Sequence, residues 1–398
     1  MTDVASAKTA ATARERLRFA LAGARDWFRD WRNRRLADPA FQTFAARFPA
    51  TRPLANDHAR RLFDLCAGFV YSQTLAACVA LDLFESLRDR PLDAREFSQR
   101  ADLTEEAADR LARAASALGL LQERRPRTLG GPIRYGLGEG GAALLGNPSA
   151  FDMIRHHAAL YEDLRDPVAL FRGPRGEGAL ARYWGYAAGD GARDALGSND
   201  TDAYTALMAS TQGYVAEDVI AAYPVAEHKK LLDVGGGAGA FAAAAARAAP
   251  NLSATVFDLP SVAAAARNRF EALGLSDRVT AIGGDFHRDP LPAGADLISF
   301  VRVLHDHEDA AVVRLLAAAR DALRPGGALL VAEPMADTRG ARAMGDAYFG
   351  VYLWAMGTGR PRTRARLMEM IENAGFSNMR ERRTRRPVLV RALVATRP

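Results

Sequence analysis

Apolar residues recur along this chain with two different periods, and the change from one to the other divides the sequence. Over residues 15–36, Leu17, Leu21, Phe28 and Trp31 fall at intervals of four, seven and three, the spacing of one helix face. Trp27 widens its aromatic edge, and the arginines are expected on the opposite face. Pro49 and Pro53 punctuate a linker. From about Ala59 to Leu87 the run FDLCAGFVYSQTLAACVALDLFESL is apolar around most of a helix circumference, which predicts burial within the chain or between two chains. A short helix at 93–100 follows. Thr104 then reads as the N-cap of a helix with Glu105 and Glu106 in its first turn, running to Leu118 and stopped by Gly119. The segment RTLGGPIRYGLGEGG has the form of a two-stranded wing with Gly-Gly-Pro at its tip. Two helices and a wing predict a winged-helix unit. The alternating acids and arginines of TEEAADRLARAASALGL favour a dimerisation platform over a DNA reader.

Residues 150–225 read as helical, with Gly-rich interruptions around Arg172–Gly178 and near Gly185–Gly197. After residue 228 the short apolar runs KLLDVG, ATVFDL, RVTAIGGD, ADLISFVRVL and ALLVAEPM alternate with helical stretches. That rhythm predicts βαβ units and a parallel, doubly wound sheet. PVLVRALVAT adds a terminal antiparallel strand. The expected organisation is an arm and linker at 1–50, a winged-helix-like dimerisation domain at 51–148, a helical connector at 149–227 and a Rossmann-like α/β domain at 228–398.

Composition narrows the class. With 398 residues, 49% hydrophobic and 25% charged, the chain is neither disordered, collagen-like nor a small disulfide scaffold. No run of about 18 uninterrupted apolar residues suggests a transmembrane helix, and no secretory signal is expected at the N-terminus. Cys66 and Cys78, both within an apolar run, read as packing thiols of a reduced compartment, so a cytoplasmic address is expected. The net charge of +6 is concentrated at the ends. Residues 1–35 carry nine basic and four acidic side chains, and residues 380–398 carry seven arginines against Glu381. Charge so placed points to local patches and away from a nucleic-acid groove.

The first strand of the α/β half runs into Asp233-Val234-Gly235-Gly236-Gly237-Ala238-Gly239. Glycines at a strand-to-helix turn let a ligand lie against bare backbone at a helix N-terminus. The pattern alone also satisfies a relaxed dinucleotide fingerprint. The second strand ends at Asp258, 23 residues after Gly235, where a carboxylate can accept from both hydroxyls of a ribose. The third ends in Gly284-Asp285-Phe286, an acid for an adenine amino group beside a ring to cover the base. Three acids after three successive strands point to an adenosyl ligand.

DVGGGAG, FDLP, GGDF, VRVLHDH and RPGGALLVAE, in this order and spacing, resemble the class I S-adenosylmethionine-dependent O-methyltransferases, and most closely the plant-type subfamily of caffeic acid and acetylserotonin O-methyltransferases. The resemblance covers roughly residues 58–398. Within the subfamily, LFDLCAGFVYSQTLAACVALDLFE and DAYFGVYLWAMGTGRPRT are most similar to the bacterial hydroxyneurosporene (demethylspheroidene) O-methyltransferases. It implies S-adenosyl-L-methionine as cofactor and S-adenosyl-L-homocysteine as product. By the resemblance Asp258, with Leu259 beside it, binds the ribose. Gly284, Asp285 and Phe286 receive the adenine, and Arg302 is a further cofactor contact. Asp233, Gly235, Gly237 and Gly239 form the turn at the methionine end. His305 takes the general-base position and Glu333 orients it. A small, apolar, hydroxylated acceptor and a homodimer are implied too.

Chemistry supports a base at 305 independently. Methyl transfer from a sulfonium needs the acceptor oxygen held in line and its proton removed. A histidine, with an ordinary pKa near about 6.5, is mostly neutral at cytoplasmic pH and can accept that proton. The plant members carry a second glutamate just before Arg-Thr, where this chain has Gly359-Arg360-Pro361-Arg362-Thr363, so a two-acid clamp on the base is in doubt. His305-Asp306-His307 lacks a clustered third ligand and makes a poor metal site, so no metal is expected. Asp306 reads instead as a cap for the helix beginning near Asp309. His156 and His157, and the run Tyr348, Phe349, Tyr352, Leu353, Trp354 and Met356, are candidates for the acceptor wall or for plain helix packing. A phenolic, polyketide or bacteriochlorophyll-precursor acceptor, a nicotinamide-dependent dehydrogenase and an S-adenosylmethionine-sensing winged-helix regulator are the rival readings. The basic arm could also give weak membrane-surface association.

Overall fold

A computed structural model describes residues 13–126, 131–184 and 212–398. The second glycine-rich interruption near Gly185–Gly197, part of the wing tip and the Leu17 side chain lie outside the described residues. The chain divides into two compact units, the first ending at Ala77 and the second beginning at Cys78.

The first unit is helical. Helix α1 spans Ala13–Ala37, and α2 spans Pro39–Arg47, with the Asp38 carboxylate accepting from the Ala40 N–H at 2.9 Å. Leu21, Trp27, Phe28 and Trp31 of α1 are all exposed. Arg25, Arg29 and Arg32 line the same shallow groove as Leu21, Ala24 and Phe28, so the arginines flank the apolar stripe and do not oppose it as expected. At about 100° per residue these positions fall on the shoulder of the stripe.

Helix α3, Arg52–Ala80, begins seven residues before its predicted start. Pro53 sits in its first turn, where a missing N–H costs nothing. Beyond its C-terminus Asp82 adopts a left-handed conformation (φ 47°). By length and composition α3 is long and apolar enough to cross a membrane, although Ser72, Gln73 and Thr74 interrupt its apolar run. Leu62, Phe63, Leu65, Phe69 and Val70 are exposed on it, as is Cys66, which was expected to be buried. Cys78 is buried as expected.

The second unit opens with a small antiparallel sheet, β1 (Leu92–Asp93), β2 (Leu121–Arg124) and β3 (Arg134–Leu137), in the order β1-β3-β2. Asp93 and Glu96 close a capping box on the helix Ala94–Ala101, and Thr104 caps the helix Glu105–Ala117. Two helices and a wing are therefore present, with β1 as an added strand. The helices Pro148–Asp163, Pro167–Arg172 and Ala179–Tyr183 follow.

The rest builds a seven-stranded sheet from β4 (Lys230–Val234), β5 (Ser253–Asp258), β6 (Val279–Gly283), β7 (Ala295–Val301), β8 (Leu323–Glu333), β9 (Ser377–Arg382) and β10 (Arg391–Thr396). Its order is β6-β5-β4-β7-β8-β10-β9. β4 through β8 are parallel and β10 is antiparallel to both neighbours. Leu297, Ile298, Phe300, Leu330 and Val331 are fully buried, as continuous apolar runs in a sheet covered on both faces should be. The chain order reverses between β4 and β7. Ligands of doubly wound sheets bind at the carboxyl ends of the strands flanking such a reversal.

Candidate active site

At that reversal β4 ends in Val234 and the chain enters the glycine turn. Gly235, Gly237 and Gly239 all have positive φ (68°, 58° and 74°), which a side chain would strain. The space a Cβ on Gly237 would fill is open for 4 Å around, so a ligand can lie directly on the backbone there. A Cβ on Gly239 would overlap the Phe270 ring, so this glycine also lets the following helix, Ala240–Ala248, pack against its neighbour.

Asp258, at the end of β5, accepts from the Gly237 N–H at 2.8 Å and from the Leu259 N–H at 2.7 Å, one bond to each oxygen. A carboxylate has about four acceptor sites, so each oxygen retains capacity for a hydroxyl. Burial pushes its pKa up to about 6 against the pull of those two N–H donors. Asp233 lies beneath the turn, fully buried. Its Oδ1 accepts from the Ser299 hydroxyl at 2.6 Å, its Oδ2 has no partner, and burial pushes it up to about 7.

The third predicted cluster meets the first. A Cβ on Gly235 would stand 3.5 Å from the Phe286 ring and 2.9 Å from both Val303 methyls. The glycine turn, the segment after β6 and the segment after β7 therefore converge. Gly284 packs where a Cβ would strike Phe257, and the Asp285 carboxylate accepts from the His287 N–H at 2.9 Å. Arg302 carries a positive φ of 57° just past β7, and its N–H donates to the Ala332 carbonyl at 2.8 Å. An open glycine backbone, a carboxylate with spare acceptor capacity and an aromatic ring beside the turn fit an adenosyl ligand.

His305 lies in a short 3-10 turn, Leu304–Asp306, and is buried. Its Nδ1 is 2.5 Å from Glu333 Oε2 at the end of β8. The other oxygen of Glu333 accepts from the N–H groups of Val303 and Leu304, at 3.0 and 2.7 Å, so one carboxylate fixes both the ring and its turn. Asp306 Oδ1 is 3.2 Å from His305 Nε2. Asp306 is thus a second acid on the ring and not the helix cap read from the sequence; the N-cap of the next helix is Glu308. Burial works to strip the proton from His305, but Asp306 and Glu333 outweigh it and raise its pKa above the usual histidine value. The His307 ring packs instead on Phe286 and His287. Among the described residues no three His, Cys, Asp or Glu side chains cluster to hold a metal.

The segment 359–363 clamps the 3-10 turn from outside. Buried Arg362 donates to the carbonyls of Leu304 and His307, both at 2.6 Å, and to Asp309 Oδ1 at 2.9 Å. Its signal in the sequence was an arginine repeated across a proline, which by itself names no partner.

His156 and His157, expected on a wall or on an exposed helix face, are bonded inside. His156 Nε2 lies 2.6 Å from the Tyr352 hydroxyl, which also accepts from Trp184 Nε1, and His157 Nε2 lies 2.7 Å from the Tyr348 hydroxyl. Burial lowers both histidines, His156 to about 4, so both are neutral. Tyr352, Leu353 and Met356 belong to a local core, whereas the Phe349 ring stands 6.3 Å from that of His305 and against Tyr348.

A family profile described as the O-methyltransferase domain matches residues 161–377, and one described as the O-methyltransferase dimerisation domain matches residues 63–147. The chain is 40% identical to a demethylspheroidene O-methyltransferase of Cereibacter sphaeroides, over 90% of this chain and 92% of that protein. It is 34% identical to an acetylserotonin O-methyltransferase of Mus musculus, over 82% of this chain and 86% of that protein. Among solved structures it resembles human N-acetylserotonin methyltransferase in complex with S-adenosylmethionine, with a TM-score of 0.71 and 25% identity over 85% of this chain and 97% of the other. The dimerisation match includes the exposed apolar positions 63–70 of α3. The chain belongs to the S-adenosylmethionine-dependent O-methyltransferases that join a methyltransferase domain to a dimerisation domain.

Proposed function

We propose that this enzyme methylates the tertiary hydroxyl of an acyclic hydroxylated carotenoid, with His305 as general base. The acceptor class is supported by the 40% identity, along nearly the whole chain, to a demethylspheroidene O-methyltransferase. The base is supported by one observation above all, the His305–Glu333 bond of 2.5 Å at the carboxyl edge of the sheet.

Bound S-adenosylmethionine supplies the electrophilic methyl group. Asp258 holds the ribose hydroxyls, Asp285 and Phe286 the adenine, and the Gly235–Gly239 turn the methionine end, while Arg302 lies alongside. Glu333 can only accept, so its bond keeps the His305 proton on Nδ1, and Nε2, with Asp306 Oδ1 3.2 Å away, is the nitrogen left to take up a proton. A tertiary alcohol is far too weak an acid to ionise first, so Nε2 takes the proton as the oxygen–methyl bond forms. The imidazolium that results lies between Glu333 and Asp306, which stabilise it in a water-poor site. Phe349 and Tyr348 form the apolar wall nearest the base.

A polyene acceptor resides in the bilayer, so a cytoplasmic enzyme must meet it at the membrane surface. Helix α1 suits that task, with exposed Leu21, Phe28 and Trp31 edged by Arg25, Arg29 and Arg32.

The test is a product assay. Purified enzyme, S-adenosylmethionine and vesicles carrying demethylspheroidene should yield a methyl ether detectable by mass spectrometry. His305→Ala should lower turnover by about 10²–10⁴-fold with unchanged S-adenosylhomocysteine affinity. Full activity in that variant would remove His305 from the mechanism, and no methyl ether from the wild-type enzyme would remove the acceptor.

A further inference from the structure

Residues 173–178, between the helices Pro167–Arg172 and Ala179–Tyr183, reach across to the segment that braces the base. Gly176 lies against Gly357 so closely that a Cβ on Gly357 would stand 2.5 Å from the Gly176 Cα. Beside this contact Arg175 joins three elements. Its Nη1 donates to Glu308 Oε1 at 2.8 Å, its Nη2 donates to the Gly359 carbonyl at 3.3 Å, and its guanidinium lies 4.7 Å from the centre of the Trp354 ring. Glu308 stands three residues past the base and also pairs with Arg360. Trp354 is on the helix Gly350–Met356, which continues from Tyr348 and Phe349.

The Gly359 carbonyl and the Arg360 N–H are two ends of one peptide unit, and that N–H donates to the His305 carbonyl at 2.9 Å. A peptide unit is planar and stiff, so holding its oxygen aims its N–H. Gly359 makes the approach possible, because any Cβ there would overlap the His305 carbonyl.

We infer that Arg175 is a positioning residue for methyl transfer: through Glu308 and the Gly359–Arg360 peptide it fixes the backbone of His305 relative to the acceptor wall. The inference rests on the reading of His305 as the base. Small displacements of a reacting group are costly, so Arg175→Ala should lower kcat by about tenfold to a hundredfold. Arg175→Lys keeps a cation for Glu308 and so protects the fold. A single ammonium cannot also hold Gly359 while stacking on Trp354, so its kcat should fall as well.

Five proteins decide the matter: the wild-type enzyme, both Arg175 variants, and His305→Ala with and without Arg175→Ala. They are assayed with radiolabelled S-adenosylmethionine and vesicle-borne demethylspheroidene, and S-adenosylhomocysteine affinity is read by calorimetry. A residue acting through the base should add less than about twofold to the loss in the His305→Ala background. An equal fold-loss in both backgrounds, wild-type kcat in the Arg175 variants, or a parallel loss of S-adenosylhomocysteine affinity would overturn the inference. If His305→Ala alone keeps full activity, the base reading itself has failed. Amide exchange at residues 304–307, read with S-adenosylhomocysteine bound, needs no acceptor. It should quicken in Arg175→Ala, and unchanged exchange would sink the tie even if demethylspheroidene proved to be the wrong acceptor.

Discussion

Two acids hold opposite nitrogens of the His305 ring, and this sets how the enzyme should respond to pH. Burial disfavours the imidazolium, but Asp306 and Glu333 favour it more strongly, and the pKa is raised. A base must be unprotonated to act, so kcat/KM should climb with pH through a value above the ordinary 6.5 or so of histidine. Asp306→Asn should move that limb to lower pH, and an unmoved limb would show that Asp306 does not act on the base. Asp258 carries a dependence of the same sign in a different readout. Its pKa is about 6 with burial as the main cause, and hydroxyl donors bind its carboxylate form. S-adenosylhomocysteine affinity should therefore weaken as pH falls through 6, by calorimetry at neutral and acid pH, and Asp258→Asn should bind weakly with no such dependence. Asp258, His305 and Glu333 were legible in the sequence because each follows an apolar run that ends a strand. Asp306 was misread because its direction depends on a 3-10 turn, and no local pattern distinguishes that turn from a helix cap. Arg175 and Arg362 reach backbone carbonyls 184 and 58 residues away along the chain, those of Gly359 and Leu304, and such contacts leave no trace in composition.

The glycine turn shows how one element divides its labour. Gly237 and Gly239 both need a left-handed backbone, which costs an L-residue about 1–2 kcal/mol. Around Gly237 the space is open, whereas at Gly239 the Phe270 ring already occupies it. Gly237→Ala should thus melt only slightly below the wild-type protein and yet bind S-adenosylhomocysteine poorly. Gly239→Ala should lose clearly more stability, because backbone strain and a steric clash add. Equal melting temperatures for the two variants would contradict this division. The strands were readable because short apolar runs alternate with helical ones, and a sheet covered on both faces needs such runs. Helix starts were less so. Residues 52–58 look like the end of a linker, but Pro53 is tolerated in a first turn and α3 runs through them.

At the scale of the whole molecule, the sequence showed that the apolar run of α3 needed cover but not where that cover came from. Phe63, Leu65 and Phe69 remain 65–79% exposed in the single chain, and they lie within the range matched by a dimerisation domain. No such match accounts for α1, which lies outside both matched ranges. Its stripe of Leu21, Phe28 and Trp31 with three arginines on one shoulder differs from a simple two-faced helix in a way that matters at a bilayer. Arginines beside the apolar edge can keep their head groups among lipid phosphates while the rings enter the acyl boundary. Each contributes about 1 kcal/mol near an anionic surface, and that attraction fades within a Debye length as salt rises. Binding should consequently be weak, reversible and salt-sensitive. Liposome co-sedimentation of the full chain should show it on anionic vesicles at low ionic strength, diminished by salt and absent on neutral vesicles. Arg25→Glu combined with Arg29→Glu and Arg32→Glu should abolish it while leaving the dimer and S-adenosylhomocysteine binding intact. If that triple variant sediments with anionic vesicles as well as the wild-type chain does, the arm has no membrane role, and its exposed rings call for a protein surface instead.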